Sequence, residues 1–328
     1  MITMRSQKRI TYLSLVVLSF LLPLAIRGYY LRHILITLLV AIVFTSGFRL
    51  MLMAGRLHFG VVAFHAMGAY TSALVVVKLG FSPWLGMVLG AVLAAMVAVS
   101  LGYVVLRVGG IYFGLLTLMF NIVINQFLLW AEPLTGGADG ILNIPPPSIG
   151  DLSFGTHKVL HYYLALVIMF MAVLSMYRME KSRIGMGFRA VGQNPLLAQH
   201  FGINLTRYRV LVFAVTSFFI GLAGAFMVHY LAYISPDDFK IMSSFYIVSY
   251  SVVGGMGSPI GAMVGPSVFI LLSEAFGIVR EAQPLLYGAV LLLVLLLLPQ
   301  GLVDLPRAVF SSLTKLKART CLSRTDFP

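Results

Sequence analysis

The run WLGMVLGAVLAAMVAVSLGYVVL, Trp84 to Leu106, carries no charged residue across 23 positions. At about 1.5 Å of rise per residue, a helix of that length covers the roughly 30 Å hydrocarbon layer of a bilayer. Gly86, Gly90, Ala94, Ala98 and Gly102 recur every four residues within it. Small side chains at this spacing share one helix face and let a neighbouring backbone approach closely, which is how helices associate where lipid supplies no hydrophobic drive. The run reads as a membrane-spanning helix shaped for packing against others.

Working outward, similar apolar runs lie at 10–26, 32–53, 60–78, 110–130, 160–177, 209–231, 243–256, 261–279 and 284–299. The expected fold class is therefore all-α: one polytopic membrane domain over residues 1–328, with about ten spans and at least eight. The run at 243–256 is short and ends in Gly254-Gly255-Met256-Gly257-Ser258-Pro259, which suits a re-entrant or broken segment. Gly257, Gly261 and Gly265 repeat the four-residue stripe in the following run. With 60% hydrophobic and 10% charged residues, the chain has no room for a sizeable soluble domain, and any energy-converting module belongs to another chain.

The formal charge of +13 is not the footprint of nucleic acid, because basic residues of a membrane protein gather in its cytoplasmic segments. With both termini inside and ten crossings, Arg27, Arg32, Lys78, Lys158, Lys240 and Arg280 fall outside and the other 17 of the 23 lysines and arginines fall inside. The asymmetry sets the expected orientation as N-in and C-in. Residues 131–159, which hold Glu132, Asp139 and Asp151, then form an extracytoplasmic loop, while 178–209 and the tail 300–328 are cytoplasmic. The first run follows Arg5, Lys8 and Arg9 as a signal peptide would, but no small-x-small pattern follows it, so it reads as a retained span. The single cysteine, Cys321, cannot form an internal disulfide.

The cytoplasmic stretch MGFRAVGQNPLLAQHFGINLTRYR, Met186 to Arg209, interrupts this apolar chain. Asn194 suits a helix N-cap, Pro195 the first helical position and Gly202 a left-handed stop, so a helix of about two turns is expected between them. A helix that short is marginal in water, and Leu196, Leu197 and Phe201 need something to pack against. They rest either on the protein's own spans or lipid, or on a soluble partner.

Here the chain resembles a known family. Gly202-Ile203-Asn204-Leu-Thr-Arg-Tyr-Arg209, Phe213 through Gly221-Leu-Ala-Gly224-Ala225, Ile234-Ser235-Pro236, Gly254-Gly255-Met256-Gly257-Ser258 and Pro299-Gln300-Gly301-Leu302 look like the LivM-type permease of branched-chain amino acid ABC importers. In the first half Gly55-Arg-Leu-His-Phe-Gly60, Gly68-Ala69-Tyr70, Arg107-Val-Gly-Gly110-Ile111-Tyr112-Phe113 and Leu134-Thr135-Gly136-Gly137 agree. The resemblance implies a multi-pass subunit of a bacterial inner (plasma) membrane. Its expected partners are a LivH-like second permease or a second copy of itself, two cytoplasmic ABC ATPases and an extracytoplasmic amino-acid-binding protein. It also implies a cargo of leucine, isoleucine, valine or another hydrophobic amino acid, with urea, amides, sugars or nucleosides as the alternatives. The family's ATPase-coupling loop carries an alanine, three residues and a glycine, which fall here on Ala198 and Gly202. Where that pattern has Glu-Ala, this chain has Leu196-Leu197, so its acidic contacts are absent.

The chemistry expected of this chain is transport without catalysis. There is no G-x-x-x-x-G-K-[ST] phosphate loop, so ATP and magnesium belong to the partner ATPases and no cofactor is expected here. Gly255-Met-Gly257 is followed by Ile260 where a dinucleotide fingerprint needs glycine. A stand-alone ion-coupled carrier would need acids or histidines inside the spans, for which the candidates are His65, His229 and Glu274. His157 and His161 are four apart without a third ligand, so no metal site is expected, and no nucleophile or paired acids are organised for catalysis. Asn204-Leu-Thr206 matches a glycosylation sequon that has no meaning on the cytoplasmic side. Asn121 and Asn125 share a face of the fifth run, with Gln126 beside them. Together with His65 and Glu274 they are the candidates for a substrate pathway, the alternative being hydrogen bonds between helices.

Overall fold

The computed structural model describes residues 20, 28–149, 152–155, 158–277, 282–298 and 301–304. The expected span at 10–26 apart from Phe20, His157, and the tail beyond 304 with Cys321 lie outside the described residues. The all-α expectation holds. The helices are α1 (Tyr29–Met53), α2 (Val61–Val77), α3 (Pro83–Val105), α4 (Gly110–Trp130) and the short α5 (Glu132–Thr135), followed by α6 (Lys158–Lys181), α7 (Arg183–Gln193) and α8 (Pro195–His200). Then come α9 (Leu205–Leu231), α10 (Ile241–Gly254), α11 (Gly261–Ala275) and α12 (Gln283–Leu297). Among the described residues four two-residue strands form two antiparallel pairs: β1 (Ile141–Leu142) with β4 (Tyr233–Ile234), and β2 (Ser148–Ile149) with β3 (Leu152–Ser153).

Among the described residues five helices, α1, α3, α4, α6 and α9, are long and apolar enough to cross a membrane. Four further apolar helices, α2, α10, α11 and α12, are shorter. With this pattern the chain is a multi-pass membrane protein. At the centre stands α9, packed on α1, α2, α3 and α6. A second, smaller cluster joins α10, α11 and α12 through Tyr250, Val253, Phe269, Tyr287 and Val294, and reaches Ala41 on α1.

The crossing of α2, α3 and α9 shows why the small residues stand where they do. The buried face of α3 is the run Gly86, Gly90, Ala94, Ala98 and Gly102, as the four-residue stripe predicts. A side chain on Gly68 of α2 would collide with the backbone of Gly221 on α9, and one on Gly90 would collide with the backbone of Gly68. Backbone meets backbone there, so nothing flexible can give way. Gly68→Ala is expected to cost about 1–3 kcal/mol by forcing the helices apart. Gly288→Val on α12, which has open space beside it, is expected to be neutral. Thermal unfolding of the two variants in detergent checks the contrast.

The second stripe needs a correction. Gly257 is exposed in the turn between α10 and α11, with nothing in contact range of an added side chain. The close pairing is made instead by Gly254, Gly261 and Gly265, whose added side chains would meet one another's backbones and Tyr250 O. The helical register that the four-residue spacing assumed starts only at Gly261, so Gly257 lies off the face. The short run at 243–256 is α10, whose 14 residues extend about 21 Å, less than a bilayer core.

Candidate functional site

At one end of the bundle the C-termini of α1, α4's predecessor α3 and α6 meet the N-terminus of α9 and the segment α7–α8. Ser182 caps α7, its hydroxyl accepting from Gly185 N at 3.4 Å. The body of α7 is pinned by backbone-close contacts: Gly185 against the Glu180 carbonyl, Gly187 against the Tyr208 ring and Gly192 against the Met53 carbonyl. Phe188 is fully buried and meets Tyr208 edge-on at 5.9 Å. Below it Arg49 of α1 and Glu180 of α6, both buried, form an ion pair, and Arg189 of α7 joins the other carboxylate oxygen at 3.1 Å. A buried carboxylate thus ties three helices together where α7 departs from the bundle.

The expected two-turn helix is present as α8. Asn194 Oδ1 accepts from Leu197 N at 3.0 Å, and Pro195 occupies the first turn. Gly202 takes φ +77°, and Ile203 N returns to Ala198 O at 3.0 Å. Ala198 is buried and seats the helix on the protein. Among the described residues little covers Leu196, Leu197 and Phe201: they are 71%, 53% and 79% exposed. The stretch 178–209, expected as a loop with one short helix, holds more: α6 runs on to Lys181, and α7 fills 183–193 ahead of α8.

The connection between α1 and α2 lies beside this platform. Gly55 takes φ +76° and an added side chain would come within 3.0 Å of Gly192 Cα. Arg56 is buried, donating to Leu106 O at 3.2 Å with its guanidinium 5.9 Å above the Phe113 ring. His58 is buried among Phe64, Phe113 and Phe213, and burial pushes its imidazole down to about 3, so it stays neutral. Phe59 leans on the other side: its N–H donates to Thr117 Oγ1 at 3.1 Å and its ring lies 5.9 Å from Phe245 of α10.

The polar candidates meet on a seam between α4 and the segment leading into α10. Asn121 is buried and its Nδ2 donates to Ser244 Oγ at 3.4 Å. Asn125 Nδ2 donates to Pro236 O at 2.6 Å. His65 joins the seam through Phe239, whose ring lies 5.0 Å away, and also packs on Phe44 at 4.8 Å. Phe239 belongs to a 3-10 turn, Pro236–Phe239, held by a capping box between Ser235 and Asp238. Gln126 does not join: it is exposed on another face of α4, because one residue on is about 100° round a helix. Glu274 of α11 makes no side-chain hydrogen bond or ion pair among the described residues. His161 is buried between Phe154 and Tyr230, and no metal-holding group of three ligands occurs among the described residues. The pairings of Ser244, Pro236 and Phe239 and the Arg49–Glu180 pair have no local signal in the sequence, since the partners are over 100 residues apart, as with Asn121 and Ser244, 123 apart.

At the far end, residues 131–149 and 152–155 pack against the helix termini. Trp84 Nε1 donates to Ser148 O at 2.9 Å and Lys78 Nζ to Pro133 O at 2.6 Å. The pairing of β1 with β4 anchors this segment to the chain leaving α9.

Residues 29–298 match the family described as the branched-chain amino acid transport system / permease component. Among curated proteins the chain is 26% identical over 277 residues to the high-affinity branched-chain amino acid transport system permease protein LivM of Salmonella typhimurium and to that of Escherichia coli. The match covers 78% of this chain and 65% of those proteins, so the chain spans just under two thirds of their length. It is also 26% identical over 251 residues to the guanosine ABC transporter permease protein NupQ of Bacillus subtilis, covering 71% of this chain and 76% of that one. No solved structure matches. With the family match running from α1 to the end of α12, the chain belongs to the permease family of branched-chain amino acid transport systems.

Proposed function

We propose that the chain is the membrane-spanning subunit of an ABC importer that carries branched-chain or other hydrophobic amino acids across the inner membrane. A second permease, LivH-like or identical, completes the pathway. Two cytoplasmic ATPases hold the ATP and magnesium, and an extracytoplasmic binding protein delivers the cargo. The observation that carries this reading is α8: a capped helix whose Ala198 is seated while Leu196, Leu197 and Phe201 project from the platform. An apolar knob on a basic membrane end fits a groove in a soluble partner. The basic side chains Arg49, Arg56, Arg107, Arg178, Lys181, Arg183, Arg189, Arg207 and Arg209 all belong to this end, which supports placing it in the cytoplasm. ATP-driven closure of the ATPases would then move α8 and, through it, the bundle between inward- and outward-open arrangements.

The sequence similarity to NupQ keeps nucleosides as a second reading. Uptake of radiolabelled leucine, isoleucine, valine and guanosine by cells expressing the chain with its neighbouring subunits separates the two. Saturable leucine, isoleucine or valine uptake that stops on ATP depletion is expected. Uptake of guanosine alone would replace the amino acid reading, and amino acid uptake that persists without ATP would replace the ABC reading with an ion-coupled carrier.

A further inference from the structure

We infer that the N-terminus of α10 and Asn121 form a zwitterion site, binding the carboxylate and the ammonium of a free amino acid at the two ends of the polar seam. This rests on the amino acid reading above and names where in this chain that cargo is held.

The depth of α10 is the first ground. Asn125 stands five residues before Trp130 and Asn121 nine, about 8 and 14 Å inside that end of α4. Their partners are Pro236 and Ser244. The chain therefore dips into the bundle after β4 and α10 begins within it, which is why α10 needs only 14 residues. Asp237 and Lys240, paired at 3.0 Å, are exposed at that depth. Ionised side chains at that depth require water beside them, since lipid would exact a large cost for them.

The second ground is the state of the hydrogen-bonding groups. No side chain caps α10. Ser243 N bonds to Lys240 O at 3.1 Å, leaving the N–H groups of Ile241 and Met242 without an acceptor among the described residues. Free N–H groups and the positive end of the helix dipole favour an anion. One turn on, Ser244 Oγ accepts from Asn121, so its own proton is available to the same anion. Asn121 Oδ1 is buried with no donor. An unsatisfied buried acceptor is costly, and it has the polarity an ammonium group requires. Donors at the helix start and a lone acceptor beside its first turn thus match the two charges of an amino acid.

The test uses the purified full-length chain with the subunits that copurify with it, in lipid nanodiscs, and displacement of radiolabelled leucine. Isovalerate keeps the carboxylate alone and isoamylamine the ammonium alone. Ile241→Pro deletes one N–H at the first helical position, where proline is tolerated and where Lys240, at φ −64° and ψ 154°, already has the conformation that precedes proline. It is expected to weaken leucine and isovalerate at least tenfold and leave isoamylamine unchanged, while Ile241→Ala, which keeps the N–H, stays within twofold of wild type. Asn121→Leu is expected to weaken leucine and isoamylamine at least tenfold and leave isovalerate unchanged. Should Asn121→Leu fail to fold, the comparison of Ile241→Pro with Ile241→Ala decides. Equal behaviour of those two, or equal loss of all three ligands, would overturn the site while the amino acid reading stands. Wild-type protein that binds guanosine and no leucine would overturn both.

Discussion

Leu196→Ser combined with Phe201→Ser is expected to abolish uptake while leaving the amount and thermal stability of the membrane-bound chain unchanged. Both side chains project from α8, 71% and 79% exposed, so their loss removes little packing within this chain. The backbone that presents them is held by other groups, the Asn194 cap and the buried Ala198. Burying two such side chains in a partner is worth about 3–6 kcal/mol in total. At about 1.4 kcal/mol per factor of ten, docking should weaken by roughly a hundredfold or more. Copurification of the ATPases measures the loss directly. Full ATPase recovery with the double variant would mean that α8 is not the docking element.

Glu180→Ala is expected to have the largest effect on stability. Its carboxylate neutralises Arg49, which is buried on α1, and holds Arg189 of α7 with its other oxygen. Removing it strands a guanidinium inside the bundle, at a cost of about 3–5 kcal/mol. Arg189→Ala should cost far less, about 0–1 kcal/mol, because that side chain is 47% exposed and the pair is screened by solvent. The Glu180 variant should also free α7, so that limited proteolysis cuts within residues 182–204 before the rest of the chain. Unfolding temperatures of the two variants and their first cleavage sites check the difference in size and place. Equal unfolding temperatures would show that the buried pair does not hold the platform.

Much of the helical framework could be read from the chain itself, because bilayer thickness sets helix length and composition marks the run. The run at 110–130 became α4 with those bounds, and 84–106 became α3 within one residue at each end. The α8 caps were equally legible, since Asn-Pro and glycine act locally. What local signals could not reveal was α7. Gly185, Gly187 and Gly192 argue against a helix, yet each is required where the backbone meets Glu180, Tyr208 or Met53. Tertiary contact overrides propensity there. The same limit applied to the seam: Asn121 and Asn125 could be picked out by their shared face, but nothing near them in sequence points to Ser244 or Pro236. Gln126 looked like their companion only because adjacency in sequence is not adjacency on a helix. Gly257 failed for a related reason, the stripe having been extended across a turn.

On the proposed function, α8 is where a soluble ATPase drives this chain. Site-specific photo-crosslinking measures that contact most directly. A benzophenone amino acid in place of Phe201 is expected to yield an adduct with the ATPase expressed alongside the chain, stronger or weaker according to the nucleotide bound. The same probe in place of Trp130, exposed at the opposite end of α4, should yield none. Adducts from position 130 and not from 201 would contradict both the orientation and the role of α8.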